Sequence, residues 1–363
     1  MTLRAALLVL TTLLAPAAHA QRTPQELAQA LQTAARAGDA VAYRNLLAPG
    51  GTFTVEGANF AADLTRRVPA DVTYTLGDIR EQGTQADATL TLVWTRVPGQ
   101  VSRVTLPVRL MRVGEVWRYA GEAFQPVRTE TGTLLALNAP GLAERTAIIA
   151  PLLTRAAGEV RNVLGLPVPG DAVVKVYPDS SSLSASVYLS LPPVAGWNEP
   201  GEAIKLVLAG GTPAEVEGAT LRVLTHEFTH LAVGLAAGAG RDKRIPWWLH
   251  EGLANFAART FVSERGWQAW QSRVNGYARS GWVPLADLAD FPAVPENRWD
   301  HAYRQGLGVV EFLAETRGRE EPWLLAKTFA ETGQGDAAAK AVGFASLGAL
   351  ETAARAWLAA RGV

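Results

Sequence analysis

His226, Glu227 and His230 stand in the order H-E-x-x-H. Residues four apart on an α-helix share a face, so both imidazoles can reach one metal ion. Glu227 is turned about 100° from His226 and can touch a water on that metal without ligating it. Two imidazoles and an adjacent carboxylate are what a zinc hydrolase requires. The alternative is an amphipathic helix carrying two solvated histidines. The chain holds only 5 His in 363 residues, and three of them (His226, His230, His250) fall between positions 226 and 250, which weighs against that alternative.

The flanking residues predict the helix that must carry the motif. Gly210-Gly211 breaks the preceding segment, and Thr212-Pro213-Ala214-Glu215 supplies an N-cap, a first-turn proline and a capping-box glutamate. Apolar residues follow at Val216, Ala219, Val223, Leu224, Phe228, Leu231 and Ala232, with Gly234 and Gly238 as stops. There is no cysteine, so a disulfide framework and a Cys-zinc site are both excluded, and any zinc must be held by His and carboxylate. The 34 basic and 34 acidic residues cancel, which gives no bias toward nucleic acid. Met1–Ala20 reads as a secretory leader: Arg4, an apolar run from Ala5 to Leu14, and an Ala18-His19-Ala20 cleavage site. Export to the periplasm, cell envelope or exterior is expected, with no membrane span remaining after cleavage.

The length suggests two domains. Residues 24–48 are helical in pattern, with Gly38-Asp39 as a candidate break. Alternating β-formers then predict strands over 72–79, 87–97, 101–113 and 115–124. The expected fold class is therefore α+β, with helices followed by an antiparallel sheet in residues 21–126. Residues 125–141 read as a linker, 142–164 as one helix, 172–177, 187–191 and 203–208 as strands, and the chain beyond 213 as mainly helical.

Downstream of the motif comes Trp248-Leu249-His250-Glu251-Gly252-Leu253-Ala254. H-E-x-x-H followed some 20 residues later by W-L-x-E-G-x-A resembles the gluzincin metallopeptidases of the peptidase MA-like group, over roughly residues 127–320. The resemblance implies a zincin-like domain over 127–363, one zinc ion held by His226, His230 and Glu251, and close helix packing at Gly252. A metzincin would need a histidine where Ala236 stands. Asp242 and His250 remain competing third ligands. In several gluzincins a carboxylate at the position of Asn255 supports a ligand imidazole; here an amide would do so more weakly, and an ordinary helix-surface role is equally open. The resemblance also points to Tyr303, in Tyr303-Arg304-Gln305-Gly306 with Phe312-Leu313, as the oxyanion donor, with His301 in reserve. It makes the strand at 203–208 a sheet edge that pairs with substrate, with a simple core strand as the alternative. Trp247 and Trp248 are expected chiefly to pack.

The expected activity is hydrolysis of peptide or protein substrates by a zinc-activated water, with Glu227 as general base and Tyr303 stabilising the oxyanion. The first half resembles an NTF2-like (cystatin-like) module and shows no catalytic constellation of its own; packing or substrate recruitment is its expected role. The competing reading is a non-catalytic exported binding or scaffold protein whose zinc is structural or vestigial. An intact Glu227 argues against it, because a purely structural site needs no such carboxylate.

Overall fold

The computed structural model describes residues 21–361 except Pro98 and Ala209. The expected leader, Met1–Ala20, lies outside the described residues. The fold is α+β: an N-terminal helix-and-sheet part, then a second, mainly helical part built on a small sheet.

Helix α1 (Pro24–Ala37) is opened by a Thr23–Glu26 capping box and closed by Gly38 at φ 62°. Asp39 then caps α2 (Ala40–Asn45), so the Gly38-Asp39 break is real. Helix α3 (Phe53–Arg66) was not expected. Its buried face includes Glu56, Gly57 and Asp63 among the apolar residues, so no clean apolar stripe shows in the sequence. Those acids find partners only in the folded chain: Lys175 Nζ lies 2.5 Å from Glu56, and Ser190 Oγ donates to Asp63 at 2.7 Å.

Strands β1 (Val72–Gln82), β2 (Gln85–Val97), β3 (Gln100–Val113) and β4 (Val116–Glu122) form an antiparallel meander in sequence order. The register sets Leu90 against Leu106 and Leu92 against Val104, one continuous apolar face.

The expected linker is structured. It holds β5 (Phe124–Val127) and β6 (Thr133–Leu137), and the expected boundary at residue 126 falls inside β5, which pairs with β6. The helix expected over 142–164 is two, α4 (Leu142–Ile149) and α5 (Leu152–Leu164), parted at Ala150-Pro151 because proline cannot continue the hydrogen-bond ladder. Strand β7 (Val173–Tyr177) leads into α6 (Ser180–Val187). No strand forms over 187–191. That apolar run is buried against the N-terminal part instead, and Trp94 Nε1 donates to the Leu189 carbonyl at 2.7 Å.

Strands β8 (Gly196–Trp197) and β9 (Ile204–Val207) complete a second sheet in the order β5-β6-β7-β9-β8. The strands β6, β7 and β9 run parallel, and β8 returns antiparallel on the outside of β9. The strand near residues 203–208 is therefore interior, and β8 is the edge. The helices that follow are α7 (Pro213–Ala237), α8 (Trp247–Ala258), α9 (Glu264–Arg279), α10 (Trp299–Thr316), α11 (Glu321–Thr332), α12 (Gly335–Ala341) and α13 (Leu347–Ala360). No helix among the described residues is long and apolar enough to cross a membrane.

Candidate metal centre

Helix α7 begins with the expected capping box, Thr212 and Glu215 each bonding the other's backbone, and Pro213 in the first turn. Leu224, Phe228 and Ala232 are buried on one side, which fixes its rotation and leaves His226 and His230 facing a cavity. Helix α8 crosses α10 at two glycines. A Cβ on Gly252 would lie 2.5 Å from the Gly306 carbonyl oxygen, and a Cβ on Gly306 would collide with that of Trp248. The close packing expected at Gly252 is thus between α8 and α10. It brings Glu251 and Tyr303 to the cavity on facing helices.

There, His226 Nε2 lies 3.1 Å from His230 Nε2 and 3.1 Å from Glu251 Oε2, and His230 Nε2 lies 3.8 Å from Glu251 Oε1. Ligand atoms of all three residues fall within 4.8 Å of one another, so the group could hold a metal ion. Glu251 Oε2 is buried and accepts no aligned hydrogen bond, although His226 Nε2 stands 3.1 Å away. Its other oxygen accepts from Trp247 Nε1 at 2.8 Å. Trp247 therefore both lines the cavity and orients the carboxylate, while Trp248 is fully buried and packs. The four-residue spacing from Trp247 to Glu251 was a readable signal of that bond.

Burial pushes His230 down to about 3, so its ring is neutral. Burial acts the same way on His226, but the Glu251 carboxylate outweighs it and raises this ring. Burial would raise Glu251, yet the two imidazoles hold it below the usual carboxylate range. Glu227 is 5% exposed, and burial, reinforced by the charge of Glu251, pushes it up to about 8 against the pull of His226. A cation held by the three neighbours would favour its ionised form.

Of the competing ligands, neither joins the group. His250 Nε2 lies 3.2 Å from the Asp242 carbonyl oxygen, which ties the loop before α8, and its ring stands 5.9 Å from that of His230. Asn255 donates to the Glu251 carbonyl on its own helix at 2.8 Å; no bond to His226 is formed. The ring centroid of Tyr303 is 6.4 Å from that of His226 and 5.8 Å from that of Trp247. Burial raises its phenol well above the ordinary value, so it stays a neutral donor. His301 does not line the cavity: it stacks on Tyr277 at 4.0 Å and bonds Gln305 at 2.8 Å.

The cavity has a volume of about 890 Å³. One wall comes from the N-terminal part, through Asn59, Arg66 and Arg67 on and beside α3. The edge strand β8 closes another. A Cβ on Gly196 would collide with Glu227 Oε1 and lie 2.6 Å from Val223 Cγ1, so the strand passes directly against the motif helix. No local pattern marked Gly196 or the α3 wall, since both belong to the site only through tertiary contact. Compared with models of known families and with curated proteins, the chain finds no match.

Proposed function

We propose that this protein is an exported, zinc-dependent metallopeptidase of the gluzincin type, with an NTF2-like N-terminal domain, that hydrolyses peptide bonds. The observation that carries the reading is the convergence of His226, His230 and Glu251 within 4.8 Å in an open cleft, with Glu227 beside them. Two imidazoles and one carboxylate form a donor set that suits zinc and leaves a coordination place open. The 3.1 Å between the two Nε2 atoms is close to the roughly 3.3 Å that tetrahedral Zn–N bonds of about 2.0–2.1 Å would span. Bound zinc supplies Lewis acidity and lowers the pKa of a water in its open place toward about 7.

The chain's own groups do the rest. Glu227 takes the proton from the attacking water and delivers it to the leaving amine. The buried phenol of Tyr303 donates to the oxyanion that develops on the attacked carbonyl. Trp247 holds Glu251 in its ligating orientation. Edge strand β8 offers backbone groups beside Glu227, where an extended peptide could add as a further strand.

The test is metal analysis and peptide turnover on purified protein, with and without chelator. Glu227→Gln should retain zinc and lose hydrolysis; Glu251→Ala should lose zinc. Full turnover by the Glu227→Gln protein would refute the reading.

A further inference from the structure

Helix α10 carries Arg304 next to Tyr303, and both side chains line the cleft. The Arg304 side chain is only 15% exposed. Its Nε donates to Asp300 Oδ1 at 2.7 Å and its guanidinium stacks 5.0 Å from the centre of the Trp270 ring. Its Nη1 is buried and has no hydrogen-bond partner. A buried guanidinium N–H without an acceptor is costly, and a fork held rigidly by an acid and an aromatic face suits a carboxylate.

Asp300 does not neutralise this end of the cleft. The same carboxylate also lies 3.3 Å from Arg273 Nε and accepts the Tyr277 hydroxyl at 2.7 Å, so one acid serves two guanidiniums. A further cation comes from α7. Arg222 is one turn before His226, on the same side of the helix, and lines the cleft. Among the described residues it has no ion-pair partner, and burial lowers its pKa. In sequence Arg222 precedes His226 by one turn and Arg304 follows Tyr303, whose ring stands 6.4 Å from that of His226, while His230 faces His250. Arg66, Arg67 and Lys243 also line the cleft, so Arg222 and Arg304 are set apart by their places beside His226 and Tyr303.

We infer that Arg304, with Arg222, forms a carboxylate-binding subsite, and that the substrates are peptides presenting a carboxylate at that end of the cleft. The inference rests on the metallopeptidase reading for its substrate class, although binding at the subsite does not require turnover. The carboxylate could be a peptide's free C terminus or an acidic side chain.

The experiment uses the full zinc-loaded protein and three matched short-peptide libraries: free C terminus, amidated C terminus, and amidated with internal Glu exchanged for Gln. The free-terminus library, or the one with internal Glu, should be cleaved faster than its neutral counterpart. Arg222→Gln and Arg304→Lys should erase that preference, lowering kcat/KM on the favoured library by about ten- to a hundredfold, the range for a lost charge-assisted hydrogen bond, with neutral peptides changed less than about threefold. Binding of the same libraries to the Glu227→Gln protein, measured by calorimetry, reads the subsite without hydrolysis. If no library is cleaved but carboxylate peptides still bind selectively through the two arginines, the peptidase reading fails and the subsite stands. Equal binding of charged and neutral libraries, or no binding, overturns the subsite, as does an equal loss on all libraries in the arginine variants.

Discussion

Replacing Gly252 by alanine puts the α8–α10 crossing to a quantitative test. The new Cβ would sit 2.5 Å from the Gly306 carbonyl oxygen, 2.6 Å from its carbon and 3.0 Å from Val310 Cγ2. Ordinary contact begins at 3.4 Å, so the helices must separate by roughly 0.9 Å, and the nearest obstacle is backbone that cannot rotate away. Overpacking of this kind costs about 1–3 kcal/mol, while alanine recovers about 1 kcal/mol of helix propensity over glycine, leaving a net loss of up to about 2 kcal/mol. The functional effect should be larger than the loss of stability. Glu251 is the adjacent residue, and Tyr303 stands one turn before Gly306 on the opposing helix. A displacement near 1 Å between such groups costs about a hundredfold in rate. The assay pairs kcat/KM and bound zinc with thermal denaturation. Gly218→Ala in α7 serves as control, because a Cβ there meets nothing within 4 Å and should stabilise by up to about 1 kcal/mol. A Gly252→Ala protein that gains stability like the control and keeps full turnover would show that this crossing does not position the site.

Trp247→Phe keeps an aromatic ring, smaller than the indole, but removes the N–H that Glu251 accepts, and should weaken zinc affinity by about ten- to a hundredfold in a competitive chelator titration; unchanged affinity would leave Trp247 only a packing role. Glu56→Gln tests the buried charges that join α3 to the second sheet. Burial would raise Glu56, but Lys205 and Lys175 outweigh it and hold its carboxyl below 4.5. A lowered folded-state pKa contributes stability above the unfolded value, and that stability is lost as pH falls through the folded one. The variant should therefore be about 3–5 kcal/mol less stable than the parent at pH 7, as for a buried pair missing one partner, with the gap closing below pH 4.5. Urea unfolding at several pH values reads this, and a gap independent of pH would assign the loss to packing instead.

Motif geometry was legible in the sequence because it is local. Four-residue spacing on one helix puts His226 and His230 on a common face whatever surrounds them, and the Thr212–Glu215 box marks where that helix begins. The α+β class followed from the change of apolar period between residues 24–48 and 72–124. Glu251 was legible only as one part of a paired pattern; its arrival 3.1 Å from His226 depends on α8 meeting both α7 and α10. Helix α3 escaped notice because its buried face carries acids whose partners, Lys175 and Ser190, lie more than a hundred residues away. The same physics hid the true sheet edge: a two-residue strand such as β8 has no period of its own, and only the register of Gly196 with Leu206 places it outside β9 and against Glu227. Arg304 reads in the sequence as one more helical cation; burial of its Nη1 beside an already shared Asp300 is decided by tertiary packing alone. Periodicity and capping are properties of a few neighbouring residues and survive in the bare chain, whereas convergence, burial and unmet hydrogen bonds exist only once distant segments have packed.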